Sequence, residues 1–427
     1  MAAERHRLLP HASGGRRRGR RAGVTALVLT FAIALLLAVL TSSLASRSAL
    51  STTLVFLVVG MVAGPLGLGV VDVSSKAAEK AAEIALFAIL FTDGQHAPLR
   101  VLRRNWGPPT RALLVAMPLT FAIVAALGHW VAGLPWPAAL VLGAVLAPTD
   151  PVFASALVGR EDVPQRVRHM LNIESGLNDG LALPAVLVFV GLAGGTPEEW
   201  STEPWTLVLE VLVGIALGVV IPIAVVSVLR LPGVGAVPSL LPLGPLALAL
   251  LLYGVCELTH ANSFLAAFVA GSTVATIRPT ASDSFRRTGE LVSEMAKGAA
   301  LIAFASLLDR ELLVDAGIAG LVLAAAVLLV SRPLPVMAVM VGSRLTMKEQ
   351  LAVAWFGPKG FASVAYAVIV LFSGMQDAGE VFVLVGVTVL FSVVAHSSTD
   401  VAVASWLSRD EDKAVERGDM SAEPLGT

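Results

Sequence analysis

The chain has 427 residues, of which 56% are hydrophobic and 14% charged, with a formal net charge of −1. A soluble domain carries roughly 45–50% apolar and about 25% charged residues, so the solvent for most of this sequence is lipid. The basic residues lie in short stretches between apolar runs, without a patch interleaved with aromatics, which excludes nucleic acid as a partner.

A bilayer core about 30 Å thick needs about 20 mostly apolar residues per helix. Runs of that kind predict thirteen spans near 23–45, 49–71, 77–93, 108–132, 136–158, 167–193, 204–229, 238–258, 262–278, 291–308, 312–342, 348–372 and 379–407. The chain thus divides into a basic N-terminal segment (1–22), a membrane domain (23–407) and a short polar tail (408–427) expected to be disordered. Alternate connections are basic, holding Arg100, Arg103, Arg104 and Arg111, then Arg160, Arg166 and Arg168, and later Arg344 and Lys348. Positive residues in short loops stay in the cytoplasm, which places the C-terminus inside a multi-pass protein of the cell membrane. The run Arg16-Arg17-Arg18-Gly19-Arg20-Arg21 falls on the outer side in that scheme. With the apolar stretch and the small residues Ser42-Ser43-Leu44-Ala45 it also has the order of a secretory leader, whose removal would leave twelve spans. Thirteen retained spans is the expectation.

Charges inside a membrane cost roughly 2.5–3.5 kcal/mol each on insertion scales and mark ion paths or buried pairs. The fifth span contains Pro148-Thr149-Asp150-Pro151. Each proline removes a backbone donor and disfavours helix in the residue before it, so the helix is expected to break at mid-membrane, exposing carbonyls and helix ends. A plain turn between two short buried helices is the bland alternative. The sixth span reads Glu174-Ser175-Gly176-Leu177-Asn178-Asp179-Gly180. Glu174 and Asn178 are i, i+4, as are Ser175 and Asp179, giving two polar stripes of oxygen ligands suited to a small cation.

In the twelfth span, Lys359 within Gly357-Pro358-Lys359-Gly360 demands a carboxylate, and Glu174 is the expected partner. The last span carries Ala395-His396-Ser397-Ser398-Thr399-Asp400, where His396 and Ser397 are expected to mark a second break facing the first. Asp93 is either a distal ligand or a helix-end carboxylate, and Lys297 is expected to snorkel to the interface. Cys256, the single cysteine, reads as a small buried hydrophobe. No metal-ligand spacing of His or Cys, phosphate loop or nucleophile with a nearby base is present, so neither an enzyme nor a cofactor is expected.

Three motifs, Ala147-Pro148-Thr149-Asp150-Pro151, Glu174-Ser175-Gly176-Leu177-Asn178-Asp179 and Gly357-Pro358-Lys359-Gly360, resemble those of the monovalent cation:proton antiporters, in the NhaP and sodium/proton exchanger branch. The resemblance covers nearly the whole chain. It implies an all-α polytopic membrane fold with about thirteen helices in two inverted six-helix repeats, crossed discontinuous helices, and a homodimer. It makes Asp179 the carboxylate that takes cation or proton, with Asp150, Thr149 and Ser175 completing the shell, Asn178 orienting it and Glu174 paired to Lys359. The implied activity is exchange of a monovalent cation, Na+ first and Li+ or K+ as alternatives, for H+. An Asn before the essential Asp goes with electroneutral exchange in this branch. A potassium-selective antiporter on the same fold and a cation channel or uniporter are the rival readings. Two departures stand out: Lys359 where many relatives have arginine, and Thr92 then Asp93 where relatives often place a glutamate directly after the third-span phenylalanine.

Overall fold

The computed structural model describes residues 13–45, 52–71, 75–96, 107–150, 163–195, 204–229, 231, 237, 240, 242–308, 310–343 and 345–416. Pro151 lies outside them, as do the side chains of Ser175 and Asp179, although α6, the helix that carries both, is described.

The described residues form helices and no strands. In order they are α1 (Ser13–Ala45), α2 (Thr52–Ala63), α3 (Ser75–His96), α4 (Pro108–Trp130), α5 (Trp136–Leu146), α6 (Gln165–Leu192) and α7 (Pro204–Val228). Then come α8 (Leu243–Thr259), α9 (Ser263–Ile277), α10 (Pro279–Leu307), α11 (310–340), α12 (Met347–Trp355), α13 (Phe361–Leu371) and α14 (Ala378–Glu416). Two of them contain a π-helical turn, Ala112–Ala116 in α4 and Val327–Ser331 in α11.

Apolar composition and exposure go together in the way lipid demands. Among the described residues, four stretches are long and apolar enough to cross a membrane: Pro108–Trp130, Val208–Val228, Leu313–Met340 and Ala378–Thr399. The second has a mean hydropathy of 2.8 yet is only 22% buried. Leu212, Val220 and Ile223 on α7 and Val314 and Ile318 on α11 are exposed leucine, valine and isoleucine side chains that only a lipid surface or another apolar surface would cover. By contrast α5 and α13 are short, apolar and buried almost throughout, at the centre of the main core cluster.

Helix ends follow local chemistry. α5 stops at Leu146, two residues before Pro148. The expected twelfth span is instead two helices, α12 and α13, separated by the non-helical connector 356–360, which holds Gly357, Pro358 and Gly360. α12 starts with a capping box: the Thr346 hydroxyl accepts from Glu349 N–H (3.3 Å) and Glu349 Oε2 accepts from Thr346 N–H (2.6 Å). The other oxygen of Glu349 meets Arg166 at 3.1 Å, tying the start of α6 to the start of α12.

His396 and Ser397 do not mark a break, contrary to expectation: α14 runs through them without interruption. That stretch has no proline or glycine, and its polar side chains bond within the helix, Thr399 Oγ1 donating to Ala395 O (2.9 Å) while His396 Nδ1 lies 2.8 Å from Ser392 O. The second break belongs to the glycine and proline connector. α14 also continues as helix past Leu407 to Glu416, into the stretch expected to be disordered.

Small residues let backbones meet around the centre. A Cβ on Gly94 would strike the Phe268 carbonyl, and one on Gly271 the Phe91 carbonyl, so α3 and α9 cross at a distance only glycine permits.

Candidate functional site

The two interrupted regions lie against each other. Asp150 N–H, in the non-helical segment 147–150, donates to Pro358 O at 2.9 Å, and the Asp150 carboxylate accepts from Phe361 N–H at 2.5 Å. Phe361 opens α13, so this carboxylate sits at a helix N-terminus, where unpaired N–H groups and the helix dipole favour negative charge. In the opposite direction, Lys359 Nζ donates to Ala147 O (3.2 Å) and Pro148 O (3.1 Å), carbonyls at the end of α5 where the helix no longer supplies donors. Ser363 Oγ donates to Val145 O one turn earlier (2.9 Å).

Each residue of Gly357-Pro358-Lys359-Gly360 therefore has a separate task. A side chain at 357 would collide with the Arg332 guanidinium, and one at 360 with the Asp150 carboxylate. Pro358 interrupts the helix and presents its carbonyl to Asp150, and Lys359 caps the end of α5. The connector is held from behind by Ser392 Oγ, which accepts from Lys359 N–H at 2.8 Å.

From α6, Asn178 Nδ2 donates to Thr149 O (3.1 Å) and Thr149 Oγ1 (2.7 Å), so the carboxamide pins the first break. Thr149, Asp150, Asn178 and Lys359 are all at least 96% buried. Ser175 and Asp179 are carried by the same helix, one residue after Glu174 and Asn178 respectively.

Glu174 does not pair with Lys359. Its Oε1 meets Arg332 Nη2 at 2.8 Å, with both side chains more than 90% buried, while Arg332 Nη1 also donates to Val353 O (2.6 Å) and Ala354 O (2.8 Å) at the end of α12. Arg332 thus does for α12 what Lys359 does for α5. Sequence reasoning passed over it, although an arginine in the apolar run 312–342 was the same signal that drew attention to Lys359.

Asp93 on α3 is half-buried, with Lys297 of α10 and Asp150 as its charged neighbours. The two helices are joined there by a hydrogen bond between the hydroxyls of Thr92 and Ser293 (2.9 Å). The Lys297 side chain is 14% exposed, and its ammonium bonds the 47%-exposed Glu294 at 3.4 Å. His396 is 98% buried, with Nε2 3.0 Å from Trp355 O.

Buried carboxylate, hydroxyl and carbonyl oxygens at the end of α5 and at the connector between α12 and α13, inside an otherwise apolar bundle, define a membrane protein with an intramembrane polar site. The sequence pattern described as "Sodium/hydrogen exchanger, transmembrane" matches residues 31–406, and the chain belongs to that family of multi-pass membrane transporters. It is similar to the K(+)/H(+) antiporter NhaP of Alkalimonas amylolytica, with 25% identity over 373 residues that cover 86% of this chain and 64% of that one. It is also similar to the Na(+)/H(+) antiporter ApNhaP of Aphanothece halophytica, with 32% identity over 36% of this chain and 30% of that one. The chain thus spans less than two thirds of the length of these curated relatives. Its fold is that of the sodium proton antiporter MjNhaP1 from Methanocaldococcus jannaschii, at a TM-score of 0.74 and 21% identity, covering 90% of this chain and 98% of that one.

Proposed function

We propose that this protein is a secondary antiporter that exchanges a monovalent cation for H+ by alternating access, with cation and proton competing for Asp179. The observation that carries this reading is the joint placement of Asp150 and Asn178: both hold the break at Thr149, and Asn178 immediately precedes Asp179 on α6. Asp150, Thr149 and Ser175 complete the cation shell, and Asp93, a charged neighbour of Asp150, is a distal contributor. Either occupied state neutralises the site and moves across the barrier, while the empty charged state does not, so exchange follows from exclusion.

Na+ is the first choice of cation. K+ is the second reading, favoured by the name of the Alkalimonas relative. Asn178 supports electroneutral exchange, and the protein works as a homodimer in the cell membrane with its C-terminus in the cytoplasm. The test is made in proteoliposomes: a Na+ or K+ gradient is imposed while internal pH is followed by a dye. Proton flux driven by one cation and lost in Asp179→Asn is the expected result. Current without proton counterflow would establish a channel or uniporter instead.

A further inference from the structure

A small cavity of ≈ 10 Å³ is lined by Ala116 and Thr120 of α4, Ala147, Glu174, Asn178 and Arg332, among others. It sits where the π-helical turn of α4 meets the end of the π-helical turn of α11: Ala116 closes the first and Arg332 comes directly after the second. A π-turn inserts a residue into a helix and re-aims the side chains beyond it, and such turns concentrate at functional sites.

Three polar atoms of the residues lining this cavity, Glu174 Oε2, Asn178 Oδ1 and Arg332 Nε, are buried and have no hydrogen-bond partner among the described residues. The first two are acceptors, and the third is a donor that a water oxygen could accept from. The Asn178 amide orientation is fixed by Thr149 O, which only accepts, so Nδ2 faces Thr149 and Oδ1 is left on the other side. Glu174 and Asn178 are one turn apart on α6, so the two acceptors are neighbours on one face. Leaving two buried acceptors unmet is costly, and the group that meets both must bring two hydrogens. A cation is a poor candidate, because Arg332 already neutralises Glu174. The space matches one water, which needs about 10–15 Å³ and two to four polar partners.

We infer that this cavity is a binding site for a single structural water that donates to Glu174 Oε2 and Asn178 Oδ1. The water joins the two interrupted helices in one chain of hydrogen bonds: Thr149 to Asn178, through the water to Glu174, then Arg332, then Val353 O and Ala354 O at the end of α12. It is a linking group and not a transported species, so the inference stands apart from which cation is exchanged.

The test is a map of the full chain in lipid nanodiscs, fine enough to resolve ordered water, recorded in Na+ and again with Tl+ in its place. The expected result is a peak roughly 2.6–3.2 Å from both Glu174 Oε2 and Asn178 Oδ1, unchanged in height between the two ions. No peak, or a side chain bonded directly to either oxygen, overturns the inference. A peak that strengthens in Tl+ also overturns it, because the occupant would then be a cation.

Discussion

Glu174 Oε1 and Arg332 Nη2 lie 2.8 Å apart in the buried centre of the bundle, and the same guanidinium caps Val353 O and Ala354 O. This ion pair connects α6 to α11 across 158 residues of sequence, and the same guanidinium reaches on to the end of α12. Removing one member of a buried pair strands the other and costs about 3–5 kcal/mol. Glu174→Ala is therefore expected to lower the melting temperature of the purified protein sharply, and Arg332→Ala to lower it further because two carbonyls lose their donor as well. Glu174→Ala combined with Lys359→Ala should be additive to within about 0.5 kcal/mol. A strong coupling between 174 and 359 in thermal unfolding would refute the pairing described here.

Gly360 is constrained by the Asp150 carboxylate packed against it, whereas a Cβ at Gly379 would meet nothing within 4 Å. Gly360→Ala displaces Asp150 from the start of α13 and is expected to lower cation-driven proton flux on the order of 100-fold, the loss typical of a misplaced binding group. Gly379→Ala should transport like the wild type. Equal flux from the two variants in proteoliposomes would mean that the Asp150 position is not critical.

Lys359 donates to two carbonyls at the end of α5. Lys359→Met leaves both without that donor in an apolar setting, which costs about 1–3 kcal/mol for an unsatisfied buried group. Lys359→Arg keeps the charge and the donors and should retain more stability. The comparison is read from the melting temperatures of the two variants in the same detergent.

Asn178→Ala removes both bonds to Thr149. Loss of about 1.4 kcal/mol of positioning corresponds to about a tenfold rise in the apparent KM for the cation. Thr149→Val keeps the bond to the carbonyl and loses the one to the hydroxyl, so its rise should be smaller. Initial rates against cation concentration give both values.

The proposed competition of cation and proton for Asp179 fixes the sign of the expected pH dependence. As pH falls below the pKa of the site, protons occupy more of it and cation affinity weakens, by about tenfold in apparent KM per pH unit. A KM that is flat across that range would separate the proton site from the cation site.

What the sequence determined is what local chemistry determines. Runs of apolar residues specified the helices, because a backbone in lipid must satisfy its own hydrogen bonds. α5 ends at Leu146, two residues before Pro148, and Gly357-Pro358 carried an interruption that the sequence reading treated only as the setting for a charge. The same reading placed a break at His396 and Ser397, yet polar side chains that bond back to carbonyls one turn earlier leave a helix intact, and His396 instead lies against Trp355 O at the end of α12. Tertiary structure alone decided the partners. Two buried cations, Lys359 and Arg332, were available to Glu174, and nothing in their spacing along the chain distinguishes them. The approach of α11 to α6 gave Glu174 to Arg332, while the crossing of segment 147–150 with connector 356–360 sent Lys359 to the carbonyls of Ala147 and Pro148. The pairing of buried charges depends on distances in space, which a linear pattern of residue types does not contain.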